Sequence, residues 1–319
     1  MKRLVFCVLI PSVAVFLFSC SKTNDSKRTV ENSQIRNIIL DADTGNEIDD
    51  LYAIVRALVE PSFNVKALCS AQYHTQNQAP ANTVRISQTL NEKILELMDL
   101  RHIPHPPGSN EPLPDIHTPR ASEAAQKIIE AAHTIKAGQK LDLAVLGPMT
   151  NVASAILMDS TIIDKIRVHA MGLRYDAENK KWDKNEFNTN NDIHAMNLLL
   201  NTRGLDLDVM TATASSSLIY YKQEVDEHLK GKGGIQDFLV KRWEDYLLVK
   251  TWSSPMANEK RWIMWDIAII EALVDPEVAV KKQVLTPPEN VQRIVEVYAE
   301  IDAVAMQENY WKAMRKAVK

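Results

Sequence analysis

The sequence predicts an α/β fold: a single domain with a mostly parallel central sheet flanked by helices. Three observations predict it. Short β-branched runs alternate with longer segments of helical periodicity. The first run ends in a dense group of carboxylates and passes straight into a helical pattern, as strands of open α/β sheets do at the ends where ligands bind. After about residue 35 no Pro/Gly/Ser-rich linker, internal repeat or low-complexity tract divides the chain. With 319 residues, 45% of them hydrophobic, the chain is long enough for one large core.

Each element follows from its pattern. "NIIL" (37–40) is short and β-branched and reads as a buried strand; beyond it Leu51, Ile54, Val55 and Leu58 recur at helical spacing. "NVKALCS" (64–70) reads as a strand before the helical "ANTVRISQTLNEKILELM". "HIPHPPGSNEPLPDIHTP" (102–119) is a Pro-rich loop, and its His102, His105 and His117 do not share a helix face at metal-ligand spacing. "LDLAVLG" (141–147) leads into the helical "TNVASAILM", and "IRVHAMG" (166–172) and "LDLDVMTA" (205–212) supply further strands. "RYDAENKKWDKNEFNTNND" (174–192) is a long polar stretch after a strand, the kind of segment that often carries function. The last segment, 291–318, reads as an edge strand followed by an amphipathic helix.

The chain opens differently. Lys2 and Arg3 precede fifteen residues without a charge, Leu4 to Phe18, and then "LFSC". Residues 1–19 therefore read as a secretory signal, too short and too interrupted by Pro11 for a membrane span. "LFSC" resembles a bacterial lipoprotein signal, which makes Cys20 the expected site of a lipid anchor. Residues 20–34 are polar and read as a tether, leaving 35–319 as the folded domain. The expected location is the periplasm or cell envelope. Only Cys69 remains inside the domain, in an apolar run that suits a buried thiol, so no disulfide framework is expected. Loss of Lys2 and Arg3 takes the formal charge from −4 to −6, which argues against a nucleic-acid surface.

The carboxylates demand a reason. Asp41, Asp43, Glu47, Asp49 and Asp50 fall within ten positions. Such crowding is relieved by a bound cation or by protonation. Asp49 and Asp50 could simply favour the amino end of the following helix, but Asp41 and Asp43 precede the turn. Oxygen ligands of this kind suit a hard cation, calcium or magnesium. An EF-hand is excluded: counting from Asp41, its sixth and twelfth positions hold Asn46 and Tyr52. A haloacid-dehalogenase-type phosphatase would place Thr or Val where Gly45 stands and gives Asp49 and Asp50 no role.

A third pattern fits better. "ILDADTGNEIDDLYAIVRAL" resembles the opening of the nucleoside hydrolase family, usually Asp-x-Asp-Pro-Gly-x-Asp-Asp. "VLGPMTN" (145–151), "EFN" (186–188) and "WDIAIIEALVDP" (265–276) resemble three later motifs of that family, in the right order. The resemblance implies an N-glycosidase that cleaves the bond between ribose and a base with water, using one calcium ion. It implies Asp43, Asp50, Asp266 and the main-chain carbonyl of Thr150 as metal ligands, with Asp43 also the catalytic base. Asp49, Glu186 and Asn188 are implied as ribose-binding residues, with Asp41 supporting the loop. Possible homo-oligomers are also a family trait.

The departures are specific. The acidic turn is two residues longer, has lost its Pro and has gained Glu47, which reads as solvent-facing. Gln72 and Tyr73 stand near the place of a family Gly-Asn, and "ATAS" (212–215) replaces a more distinctive segment. Trp265 takes the place of a histidine associated with protonating the leaving base. Indole cannot do that. It can stack on a purine, as in the purine-preferring branch of the family, or it can be a core residue beside Trp262. The expectation is thus a calcium-dependent ribonucleoside hydrolase with a purine preference. Its rivals are a non-catalytic riboside-binding lipoprotein and a metal-dependent phosphatase.

Overall fold

The structure, a computed structural model, describes Met1 and residues 35–74, 79–249, 256 and 259–316. The expected signal segment, Cys20 and most of the tether lie outside the described residues. In chain order the elements begin β1 (Arg36–Ala42), α1 (Asp49–Leu58), β2 (Phe63–Ser70), α2 (Thr83–Leu97), α3 (Glu123–Thr134), β3 (Leu141–Val145) and α4 (Thr150–Met158). There follow β4 (Ile166–Met171), β5 (Arg174–Asp176), β6 (Lys181–Asp183), α5 (Phe187–Asn191), α6 (Ile193–Asn201), β7 (Asp206–Met210) and α7 (Ala212–Ser215). The chain continues through β8 (Ile219–Tyr221), α8 (Lys222–Leu229), α9 (Gly234–Val249), β9 (Arg261–Ile263) and α10 (Trp265–Val274). It closes with β10 (Ala279–Leu285), β11 (Ile294–Ile301) and α11 (Ala303–Lys316).

Seven strands form one sheet in the order β10-β11-β7-β4-β3-β1-β2. All neighbours are parallel except β10 and β11. The α/β class with a mostly parallel sheet is therefore the fold. β1 pairs with β2 on one side and with β3 on the other, so the chain reverses its direction of travel at β1. That reversal opens a crevice beyond the carboxyl ends of β1 and β3, where ligands bind in such sheets.

Alternation along the strands builds two cores. Ile38, Leu40 and Ala42 of β1 pack with Leu51, Ile54 and Val55 of α1 and with Ile267 and Ile270 of α10. Ile39, on the opposite face, packs with Cys69, Val145, Ile128 of α3 and Val152 of α4. Burying both faces explains why these strands read as nearly continuous apolar runs. Cys69 is free and buried, as expected.

Two readings need correction. The strand within 291–302 is not at the edge: β11 lies between β7 and β10, and β10 is the edge strand. Four consecutive residues of β10, Val280–Gln283, are exposed, which erases the apolar alternation by which a strand is recognised. Lys281 and Lys282 on that edge discourage pairing with another chain. The polar stretch 174–192 is not a plain loop either. It folds into the hairpin β5–β6 and the short helix α5.

Candidate active site

The acidic turn leaves β1 at Ala42 and enters α1 at Asp49. Asn46 N–H donates to the Asp43 carbonyl at 2.8 Å and closes the turn. Two bonds fix it to α2: Thr44 Oγ1 donates to Asn91 Oδ1 at 2.7 Å, and Gly45 N–H donates to Ser87 Oγ at 3.3 Å. Gly45 sits close to α2: a Cβ there would lie 2.7 Å from Ile86 Cγ2 and 2.8 Å from the Tyr73 hydroxyl, so a larger residue requires those side chains to shift. The longer turn is thus a built element held by α2.

Gly147 lets the next strand end approach. A Cβ on it would come within 2.8 Å of Asp43 Oδ1. Beyond it, α4 supplies Asn151, whose Nδ2 donates to Asp41 Oδ1 at 2.9 Å. Thr150 is buried in the first turn of α4; its hydroxyl donates to Asp192 Oδ2 at 2.7 Å and receives Gln72 Nε2 at 3.3 Å. Gln72, in the place expected for an amide, therefore braces Thr150.

The amino ends of α1 and α10 meet at the crevice. Asp266 N–H donates to Asp49 Oδ2 at 3.4 Å. Carboxylate oxygens of Asp49, Asp50 and Asp266 all lie within 4.8 Å of one another. Asp43, Asp49, Asp50 and Asp266 line the wall of a cavity of about 320 Å³. Glu186, Asn188 and Trp265 line it as well, so it gathers every expected side-chain ligand and substrate contact. Thr150 is not on that wall.

Burial dominates the electrostatics. It pushes Asp41 up to about 7, against the Asn151 hydrogen bond. Asp49 rises to about 6 for the same reason, with backbone donors opposing. Asp43 is held well above the ordinary carboxylate range by burial and then by the charge of Asp49. Asp50 is raised by burial, then by Asp43, Asp49 and Glu47. Asp266 is raised by burial, then by Asp49, Asp50 and Asp43. Among the described residues, Asp41 Oδ2, Asp43 Oδ2 and Asp50 Oδ1 are buried without a hydrogen-bond partner. Mutually repelling, desolvated carboxylates with free oxygens are the donor set of a hard divalent cation.

Glu47 is not the solvent-facing residue expected. It is half-buried, lines the cavity and raises both Asp50 and Asp266. The two added residues turn it inward because α2 holds the outer part of the turn.

Further lining comes from α5 and its cap. Glu186 is its N-cap: Oε1 accepts from Asn188 N–H at 3.0 Å, and Oε2 accepts from Thr189 N–H at 2.9 Å and Leu173 N–H at 3.2 Å. Burial raises Glu186, and those backbone donors oppose it. Asn188 Nδ2 donates to the Leu146 carbonyl at 2.6 Å, which fastens α5 to the end of β3. Met171, Arg174 and Phe187 also line the cavity and were not legible as site residues. No local signal marks Met171 and Arg174, because the β4–β5 corner alone brings them there, whereas Phe187 lies inside the "EFN" motif without a role attached to it. Trp265 is half-buried on the wall, whereas Trp262 is fully buried.

Similarity to known proteins gives the family and the fold. Residues 38–312 match the family described as "Inosine-uridine preferring nucleoside hydrolase". "Probable uridine nucleosidase 2" of Oryza sativa subsp. japonica is 24% identical over 257 residues, covering 75% of this chain and 74% of that protein. Among solved structures, a purine-preferring ribonucleoside hydrolase from Gardnerella vaginalis superposes with a TM-score of 0.68 at 18% identity, over 89% of this chain and 99% of that one. A plant nucleoside hydrolase, PpNRh1, gives a TM-score of 0.68 at 17% identity, over 88% and 99%. With the family match spanning both the acidic turn and the Trp265–Asp266 helix, the chain belongs to the inosine-uridine preferring nucleoside hydrolase family and is an N-glycosidase that hydrolyses ribonucleosides.

Proposed function

We propose that this enzyme is a calcium-dependent nucleoside hydrolase with a preference for purine ribosides, exported and tethered to a membrane by lipid at Cys20. The observation that carries the chemical part is the convergence of Asp43, Asp49, Asp50 and Asp266 on one cavity that Asn188 also lines. Asp43, Asp50, Asp266 and the Thr150 carbonyl would hold the ion. Calcium accommodates six to eight oxygen ligands in flexible geometry, which suits carboxylates carried on three separate elements. When bound, it offsets their repulsion and makes a water more acidic.

The protein's own groups do the rest. Asp43 receives the proton of the attacking water. Asp49 accepts a hydrogen bond from a ribose hydroxyl. Asn188 and Glu186 hold the sugar from the other side, and Glu186 fixes Asn188 through the cap of α5. As the base departs, positive charge grows on C1′ and the ring oxygen, and the surrounding carboxylates stabilise it. Trp265 stacks on the base.

Incubation of the purified chain with inosine, uridine and a phosphate ester, with calcium present and then chelated, tests this reading. Release of free base that stops on chelation supports it. Base release unaffected by chelation removes the calcium assignment, and release of phosphate alone removes the whole reading. The anchor is tested separately: Cys20→Ser should free the protein from membrane fractions, and unchanged fractionation refutes lipidation there.

A further inference from the structure

We infer that the site is built for ribosides that carry an anionic group on C5′, with ribonucleoside 5′-monophosphates as the substrate class and Arg174 as the residue that binds the phosphate. The inference rests on the hydrolase reading above. Arg174 is the cation on the cavity wall; its other described lining residues are carboxylates, amides and apolar side chains. No carboxylate among the described residues comes within ion-pair distance of it. Its guanidinium presents a planar fork suited to phosphate oxygens.

The backbone is bent to put it there. Leu173 is fully buried at φ 56°, a left-handed conformation unfavourable for a branched side chain. Site residues hold it so: its N–H donates to Glu186 Oε2 at 3.2 Å and Thr189 Oγ1 at 3.0 Å, and its carbonyl accepts from Ala212 N–H at 3.0 Å. Arg174 follows at once, and its Nε donates to the Asn185 carbonyl at 3.2 Å. That bond engages Nε and leaves the two terminal amino groups for a ligand. Asn185 adjoins Glu186, so Arg174 stands on the Glu186–Asn188 side of the cavity.

A ribose has three exits. Its diol points to the Asp49 side, and its base to Trp265. The remaining exit, C5′, is left for the Glu186–Asn188 side, where Arg174 stands. Beyond Arg174 lies a second, wider cavity of about 960 Å³ that shares this arginine and includes Lys181 and Lys282. Its carboxylates are Asp176, Glu178, Asp183 and Glu300. Asp176 accepts from the N–H groups of Glu178 and Asn179, and Glu300 lies 3.5 Å from Lys282. The phosphate can therefore emerge into a space where Arg174, Lys181 and Lys282 supply the cations.

The chemistry remains a hydrolysis. The C1′–N bond breaks, water forms a C1′–O bond, and the base leaves with the bonding pair and gains one proton. The products are free base and ribose 5-phosphate, and nothing is oxidised or reduced.

Initial rates for inosine and inosine 5′-monophosphate test the inference, with calcium present, in the full chain and in Arg174→Ala and Arg174→Lys. Product is scored as hypoxanthine with ribose 5-phosphate, which separates direct cleavage of the monophosphate from dephosphorylation followed by cleavage. Arg174 is exposed, so its replacement is compatible with folding. The kcat/KM ratio of monophosphate to nucleoside should fall by about ten- to a hundredfold in Arg174→Ala, with Arg174→Lys between. A ratio unmoved by Arg174→Ala overturns the inference. So does a parent enzyme that cleaves inosine and leaves the monophosphate intact. Release of base from neither compound overturns the hydrolase reading itself.

Discussion

The Arg56 guanidinium meets the Glu271 carboxylate at 2.6 Å, Nε to Oε1, with both side chains buried. Arg56 lies on α1, six residues after Asp50, and Glu271 lies on α10, five residues after Asp266. The pair clamps together the two helices whose amino ends form the acid triplet. Burial drives Glu271 up to about 7, and Arg56 opposes that rise. Arg56 also reaches Glu60 at 2.9 Å.

Removing one partner should therefore cost more than the pair itself contributes. Arg56→Ala strands a buried carboxylate and should lose about 3–5 kcal/mol in urea unfolding. Arg56→Met combined with Glu271→Leu should recover most of it, because an apolar pair carries no desolvation cost. A loss under about 1 kcal/mol for the single variant would show that water or Glu60 replaces the partner.

The proposed metal ligands can be separated by calorimetry. Asp43→Ala and Asp266→Ala should each abolish calcium binding and base release, since alanine offers no oxygen. Asp49→Ala provides the contrast. Its oxygen belongs to the closest carboxylate triplet, yet it is assigned to the ribose. It should therefore retain most calcium affinity and lose turnover through a raised KM. If Asp49→Ala loses calcium while Asp43→Ala keeps it, the two residues exchange roles.

Much of this site could be read in the chain because its residues cluster in sequence. Asp41 to Asp50 occupy one turn, and a turn between a strand and a helix sits at the crevice by topology alone. Asp266 was found only through the resemblance of its segment to a family motif. Arg174 and Met171 were missed because their position depends on the corner at Leu173, whose φ no residue pattern announces. Glu47 was misplaced for a related reason. Its direction is decided by Ser87 and Asn91, some forty residues away, which hold the other side of the turn. The edge strand failed differently: β10 exposes both faces and so has no apolar period.

A second buried network makes a pH prediction away from the site. His169 of β4 lies 2.9 Å from Asp142 of β3 and 3.0 Å from Asp208 of β7, and Lys281 of β10 also reaches Asp208. Burial acts to raise Asp208, but His169 and Lys281 outweigh it and hold the carboxyl down to about 2. An acid lowered in the folded state contributes stability above its unfolded value of 3.8, and that contribution is lost as pH falls toward 2. Asp208 should thus account for about 2 kcal/mol of the acid-limb loss. Urea midpoints of Asp208→Asn should start lower at pH about 5 and fall less steeply below pH about 4. Parallel limbs for parent and variant would mean that Asp208 is not depressed.

The remaining prediction concerns the leaving group. Trp265 opens α10 beside Asp266, half-buried on the cavity wall, while its neighbour Trp262 is fully buried in the core. Trp262 is thus a core residue, while Trp265 packs against the core and also lines the cavity. An indole donates no proton to a departing base, so departure depends on stacking and on protonation from solvent or another acid. A purine offers two fused rings to the indole and a basic N7 that water can protonate, whereas uracil offers one ring and no comparable nitrogen. Inosine, guanosine or adenosine should then be cleaved faster than uridine. Stacking of a base on an aromatic side chain is worth about 1–3 kcal/mol. Trp265→Ala should accordingly cut kcat/KM for the purine riboside by about ten- to a hundredfold. Asn188→Ala removes a sugar contact and should penalise every riboside alike, which makes it the control for a general loss of fit. Equal or faster cleavage of uridine by the parent, together with a Trp265→Ala defect that is the same for both bases, would return Trp265 to the role of a wall residue. The departing base would then have to be protonated by a group on another element, and α9, which carries Tyr246 close enough to feel the charge of Glu47, Asp49 and Asp50, is where that group should be sought.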